Sequence, residues 1–301
     1  MEMIDHVLDR ITWDPKASVA ASAAHHPSKL RPIPWPTDLA PIPEVLPFQP
    51  SDPTDAPLFK VDSVIVTWTA AEWQALTDVL SPDHGQDKVL AAYERAYAHD
   101  FASYLPDLTD RSPAKSAKCL ARYRMSMGNG KNVLLVHSQL HLATDGPNLP
   151  LRQLISQIID ETQCARLITV GTGGGLLPTE KLGDIVVGQA CKFNCRRQLA
   201  YAAFAQATYP TTLNPGIAVD LDACLATNAD MIAGLTRPIQ TIGDYDIETL
   251  DYFGFGTTTD AFQLLDNDPS AAVCEMDDAV FGLVVADRMT AAKPCPEWLA
   301  I

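Results

Sequence analysis

Apolar and polar positions alternate along this chain between short β-branched runs and longer stretches with helical spacing. Residues 61–68 (VDSVIVTW) read as a buried strand, and Trp73, Leu76, Val79 and Leu80 follow on one face of a helix that opens at 69–72. Two strand-like runs, 118–127 and 132–137, flank Gly128-Asn129-Gly130, a hairpin signal. Residues 148–162 carry Leu151, Leu154, Ile155, Ile158 and Ile159 as one apolar stripe, so this helix packs on a sheet. Further helices are expected across 87–104, with Val89, Leu90, Tyr93, Tyr97 and Phe101 on one face, across 221–235, and through Val280, Leu283, Val284 and Met289; a short strand is expected at 238–243. Strands alternating with helices imply an α/β fold.

The first 60 residues read differently. A short amphipathic helix is expected over 2–10, through Ile4, Val7 and Leu8. From 15 to 57 prolines recur every few residues, which removes backbone donors and favours extended conformations. This predicts an arm over 1–60 and one α/β domain over 61–301, with an insertion at about 82–117. The arm's apolar residues Ile33, Trp35, Leu39, Val45, Leu46 and Phe48 fit a segment laid along the core or a partner subunit; a mobile linker fits the prolines equally.

At 301 residues and 47% hydrophobic content the chain can bury one sizeable core. A formal net charge of -15 repels a phosphate backbone, so nucleic acid is not an expected partner. No apolar run is long enough to span a bilayer, and the start MEMIDHVLDR does not read as a secretory signal; a cytoplasmic protein without membrane contact is expected. Seven scattered cysteines do not form a disulfide pattern, and the close pair Cys191 and Cys195 reads as ordinary thiols. No metal site is expected.

Candidate chemistry gathers in RLITVGTGGGLLPTEKLGDIVVG, residues 166–188, which reads as strand, glycine loop, strand. Four glycines within 171–175 permit positive φ and bring backbone amides close to a ligand's ribose, phosphate or carboxylate oxygens; a tight turn between buried strands is the alternative. The spacing matches neither G-x-G-x-x-G nor a P-loop. Thr69-x-x-Glu72 is a capping box by pattern. In Val273-Cys274-Glu275-Met276-Asp277-Asp278-Ala279 the acids precede an apolar helix, whose dipole Asp277 and Asp278 would complement. Arg196 and Arg197 fit a phosphate-bearing ligand or, more ordinarily, a solvated face.

Val-Gly-Thr-Gly-Gly-Gly-Leu followed by Leu-Gly-Asp-Ile-Val-Val, together with Glu275-Met276-Asp277, resembles the signatures of the nucleoside phosphorylase and nucleosidase superfamily, which includes methylthioadenosine/adenosylhomocysteine nucleosidase. The resemblance runs over 61–301 and implies a three-layer αβα sandwich around a twisted, mixed, mostly parallel sheet. It implies cleavage of the N-glycosidic bond of a nucleoside or nucleotide through an oxocarbenium-like transition state. Within it, Glu72 is the general base that activates water, and Thr172, Gly173 and Gly174 form the loop beside the nucleophile. Phe262, in Thr259-Asp260-Ala261-Phe262, stacks on the base, although a core phenylalanine fits as well. Met276 packs under the sugar beside the matching Glu275, and Asp277 binds the ribose hydroxyls.

Several positions depart from that pattern. Asp277 replaces a glutamate and is shorter by one methylene, and residues 138–146 (SQLHLATDG) replace a Gly-x-Gly turn, with His141 read as structural. The chain ends at PCPEWLAI, where the family strand continues to Ser-Asp, so a truncated chain lacking that aspartate and a final helix is expected. Phosphorylases of the family carry an arginine before the glycine loop and another near the first turn, where this chain has Ile168-Thr169 and Thr67-Trp68-Thr69. Hydrolysis without a cofactor is therefore favoured. The alternatives are a phosphorylase with phosphate as co-substrate and a non-catalytic nucleoside-binding domain. The resemblance also implies a homo-oligomer.

Overall fold

The computed structural model describes residues 44–46, 57–80, 93–94, 103–128, 130–180, 183–213, 217, 223, 241–252 and 270–301. Its first half comprises β1 (Glu44–Leu46), β2 (Ser63–Thr67), α1 (Ala70–Leu80), β3 (Tyr93–Glu94), α2 (Pro113–Ala117), β4 (Ala121–Gly128) and β5 (Lys131–Ser138). There follow α3 (Pro150–Thr162), β6 (Arg166–Thr169), β7 (Gly174–Gly175), β8 (Ile185–Val186), β9 (Ala190–Asn194) and β10 (Thr208–Pro210). The last described elements are β11 (Thr241–Ile242), β12 (Asp246–Leu250), β13 (Ala271–Glu275), α4 (Ala279–Thr290) and β14 (Glu297–Ala300). The expected helices at 2–10 and 221–235 lie outside the described residues, apart from 223, and so does Phe262.

This is an α/β fold with mixed sheets. A seven-stranded sheet has the order β1-β4-β5-β2-β6-β14, with β3 also on β4. The strands β5, β2, β6 and β14 run parallel, and β4 joins β5 as the expected antiparallel hairpin, turning at Gly130 with φ 70°. A five-stranded sheet has the order β10-β9-β12-β13-β7, and β8 pairs with β11 in a separate parallel ribbon. One core runs through both large sheets, from Val64, Val66 and Leu134 to Phe193 and Ile247. Backbone bonds stitch them at β14, where Gly188 N–H donates to Ala300 O at 3.0 Å and Thr212 N–H to Trp298 O at 3.1 Å.

The apolar stripe of α3 is buried as its spacing predicts, at Leu151, Leu154, Ile155, Ile158 and Ile159. Burying each such side chain stabilises the fold by about 1.5–3 kcal/mol. The helix α4 is buried on nearly every side, and Arg288, itself 5% exposed, donates to Asp160 of α3 at 2.8 Å. That ion pair fixes one helix against the other.

One expectation is corrected, and one choice between alternatives is made for residues 44–46. The helix expected across 87–104 is interrupted, because Tyr93–Glu94 is a strand whose Tyr93 pairs with Tyr123 and Glu94 with Arg122. The edge of β4 offers unpaired backbone groups, and pairing there outweighs the local helical spacing. Along the same edge Val45 of the proline-rich arm pairs with Ser126, so residues 44–46 lie along the core rather than in a free linker.

Candidate active site

Four chain segments meet beyond the carboxyl ends of β2, β5, β6 and β13, the side of an open α/β sheet on which ligands bind. They carry Glu72, His141, the glycine loop and the acids 275–278. Sheet register aligns the first three, since β5, β2 and β6 are neighbours in one sheet, and packing of the second sheet brings in the end of β13.

After β2 the chain turns into α1. Glu72 Oε2 accepts the N–H groups of Trp68 at 2.9 Å and Thr69 at 2.8 Å, while Thr69 Oγ1 accepts the N–H of Glu72 at 3.2 Å. The capping box is therefore formed. The other oxygen does something a cap does not require: Oε1 accepts Thr172 N–H at 2.8 Å and Thr172 Oγ1–H at 2.7 Å. One carboxylate thus joins a helix start to the glycine loop across 100 residues of sequence. Thr172 lies at the surface, so Oε1 is reached from solvent through the loop.

The glycines act through close approach rather than positive φ. Among the described glycines only Gly130, Gly146 and Gly183 have positive φ, and none belongs to the loop. A Cβ on Gly173 would press into Val273 Cγ2 and stand 3.0 Å from the Cys274 carbonyl oxygen of β13. A Cβ on Gly171 would stand 3.1 Å from Trp68 Cδ1. The loop lies between β13 and the Trp68 indole, crowded at Gly171 and Gly173, and Gly174 itself pairs with Cys274.

The acids at the end of β13 divide their work. Glu275 Oε2 accepts the N–H groups of Asp277 and, at 2.9 Å, Asp278, while Oε1 accepts the Thr249 hydroxyl; Thr249 Oγ1 in turn accepts Ala279 N–H at 2.9 Å. Glu275 therefore caps the start of α4. Burial, and then the charges of Asp278 and Asp277, raise its pKa well above the carboxylate range. Asp278 Oδ1 accepts Thr169 Oγ1–H at 2.7 Å and Trp68 Nε1–H at 3.2 Å. Burial pushes the Asp278 pKa up to about 7, against the Thr169 hydrogen bond. Asp277 Oδ1 accepts Leu142 N–H at 2.7 Å, and Oδ2 lies 3.0 Å from His141 Nδ1. Met276 lies partly buried between these acids.

The structure thus brings Glu72 to Thr172 and places Gly173 and Gly174 against β13, next to Glu275, Met276 and Asp277. Four further residues belong to the cluster: Trp68, Thr169, Asp278 and His141. For Trp68 and Asp278 the available signal was position, directly after a strand and directly before a buried helix. His141 and Asp277 stand 136 positions apart, and local pattern carries no sign of their contact. Arg196 and Arg197 are exposed; Arg196 Nε donates to Asn194 Oδ1 at 2.9 Å and Arg197 lies over the Tyr252 ring. Among the described residues no group of three or more His, Cys, Asp or Glu side chains is placed to hold a metal ion, and no helix is long and apolar enough to cross a membrane. The six described cysteines are free thiols.

A carboxylate aimed at an exposed glycine loop, with the acids 275–278 close by, is a site equipped to handle a polar small molecule. No protein-family model and no curated relative matches the chain. Among solved structures it is similar to the 5'-methylthioadenosine/S-adenosylhomocysteine nucleosidase of Neisseria meningitidis bound to methylthio-immucillin-A, with 15% identity, TM-score 0.44, and coverage of 80% of this chain and 84% of that one. It is also similar to the futalosine hydrolase of Helicobacter pylori, with 11% identity, TM-score 0.46, and coverage of 80% and 85%. A third likeness is to the Streptococcus pyogenes S-adenosylhomocysteine nucleosidase, with 14% identity, TM-score 0.46, and coverage of 81% and 82%.

Proposed function

We propose that this chain hydrolyses the N-glycosidic bond of a nucleoside or nucleotide, with Glu72 as the general base. The observation that carries the reading is the contact of Glu72 Oε1 with Thr172 of the glycine loop, at 2.7 and 2.8 Å. Rotation of the exposed Thr172 hydroxyl frees one acceptor position on Oε1 for a water. That water attacks C1' of the sugar as the bond to the base breaks; the bonding pair leaves with the base, and Glu72 takes the water's proton. Gly173 and Gly174 keep the loop thin enough for the sugar to approach, Met276 lies under it, and Phe262 is the proposed stacking partner of the base. Such stacking is worth about 1–3 kcal/mol and tolerates different bases.

The same contact favours water over phosphate. Thr172 offers an N–H and a hydroxyl, the donors a phosphate would use, and a carboxylate already occupies both. A phosphate dianion brought there would meet Glu72 at close range and be repelled. Phosphorolysis, with phosphate as co-substrate, remains the alternative chemistry. A non-catalytic nucleoside-binding domain is the second reading, favoured by one observation: Glu72 accepts four hydrogen bonds and Asp277 engages both its oxygens within the fold. The free thiols fit a reducing compartment, and we place the protein in the cytoplasm as a homo-oligomer; sedimentation tests the assembly.

The test is a panel of purine and pyrimidine nucleosides and their 5'-monophosphates, incubated with and without phosphate while free base is followed by chromatography. Base release that needs no phosphate and disappears in Glu72→Gln supports hydrolysis. Release only with phosphate replaces it by phosphorolysis. Saturable binding without release moves the reading to a binding domain.

A further inference from the structure

By resemblance Asp277 belongs to the ribose hydroxyls, yet its carboxylate is engaged inside the fold. One oxygen holds the Leu142 amide and the other the His141 ring, and the two side chains are only 3% and 7% exposed. The backbone of His141 is fixed as well: its N–H donates to Asp145, whose other oxygen accepts Ser112 Oγ–H at 2.6 Å. The imidazole is therefore oriented by one carboxylate and its backbone by a second. With Nδ1 turned to Asp277, Nε2 points away from it, and no hydrogen bond reaches Nε2 from the described residues. The ring stands 6.2 Å, centroid to centroid, from the Trp68 indole, at the turn that carries Glu72. Burial opposes a charge on this ring, but the carboxylates of Asp277, Asp145 and Glu72 outweigh it and raise its pKa.

We propose that His141 is the residue that holds a sugar hydroxyl in this site, through Nε2, and that Asp277 is a positioning residue acting through it. The inference rests on the nucleoside reading above. A hydroxyl donates and accepts, so it pairs with an imidazole N–H as readily as with a carboxylate. Asp277, one methylene short of the glutamate it replaces, reaches the ligand through the imidazole it orients. A donor in place of an acceptor also suits a site lined with the carboxyl groups of Glu72 and Asp277.

The experiment compares binding of adenosine, 2'-deoxyadenosine and 3'-deoxyadenosine to the full chain by calorimetry, with base release followed in the same samples. The wild-type protein is expected to prefer adenosine over one of the deoxy analogues by about tenfold or more, the scale of one charge-assisted hydrogen bond. His141→Ala is expected to bring that ratio to within about threefold, weakening adenosine while leaving the analogue nearly unchanged. A generally damaged site would weaken all three ligands together. His141→Gln, whose amide can still meet Asp277 but offers no second ring nitrogen, should lose the ratio too and serves if the alanine variant does not fold. Asp277→Asn should reduce the ratio part-way, acting on KM more than on kcat. A wild-type ratio near one, or a ratio kept in both His141 variants, overturns the proposal and leaves the nucleoside reading standing. Failure of the wild-type protein to bind any nucleoside of the wider panel overturns both.

Discussion

Glu72 and Glu275 hold comparable positions in different regions of the molecule. Each stands near the carboxyl end of a strand, and each accepts backbone N–H groups at the start of a helix. Glu72 takes donors at both oxygens and faces an exposed loop. Glu275 stands beside the buried Asp277 and Asp278, and its Oε1 meets a hydroxyl that can either donate or accept. Burial and two neighbouring charges favour its protonated form. The motifs name both residues as parts of the site. Their partners differ: Glu72 reaches the exposed glycine loop, whereas Glu275 is held by Thr249 and the start of α4.

This contrast can be broken most sharply at Glu72. Glu72→Gln removes the base, and its amide N–H groups must face donors at one of the two oxygens. Base release is expected to fall by about 10²–10⁴-fold, measured as kcat with saturating nucleoside. At Glu275 the same exchange should be mild: the Gln oxygen can accept the Asp277 and Asp278 amides while its NH₂ donates to Thr249 Oγ1. Glu275→Ala instead strands those donors in the interior at about 1–3 kcal/mol for each unpaired group. Urea unfolding should show a large loss of stability for Glu275→Ala and a small one for Glu275→Gln.

Gly173→Ala tests the layer between the two regions. Its Cβ would displace Val273 and the Cys274 carbonyl, so β13 must shift, at about 1–3 kcal/mol. Activity should fall with stability, because the shift moves Glu275 through Asp278. The smallest effect concerns proton linkage. The Asp278 pKa, ordinarily 3.8, is raised to about 7 in the folded chain, first by burial. The folded state keeps a proton that the unfolded state has released, so this contribution to stability is greatest below pH 3.8 and is lost as pH rises towards about 7. Asp278→Asn should flatten that decline. His137, lowered to about 3 by burial and the Arg122 charge, pulls the other way: it adds stability as pH rises from about 3 to 6.5, a slope that the variant retains.

Much of this was legible in the sequence, because local periodicity and short motifs are properties of neighbouring residues. The stripe of α3, the hairpin of β4 and β5, the start of α1 and the strands flanking the glycine loop all follow from spacing within a few residues. The capping box at Glu72 was visible in that spacing too, whereas its nomination as a base came from the resemblance. What the tertiary structure alone decided depends on segments far apart in the chain. The β3 strand exists because the edge of β4 needed partners. The loop needs glycine because β13 and Trp68 crowd it, not because its backbone is left-handed. Asp277 meets His141 because the fold packs the end of β13, in one sheet, against the segment that follows β5, in the other. A sequence shows which side chains can ionise, donate or accept; only the packed fold fixes which partner each one meets, since hydrogen bonds and burial act over a few ångströms of space regardless of distance along the chain.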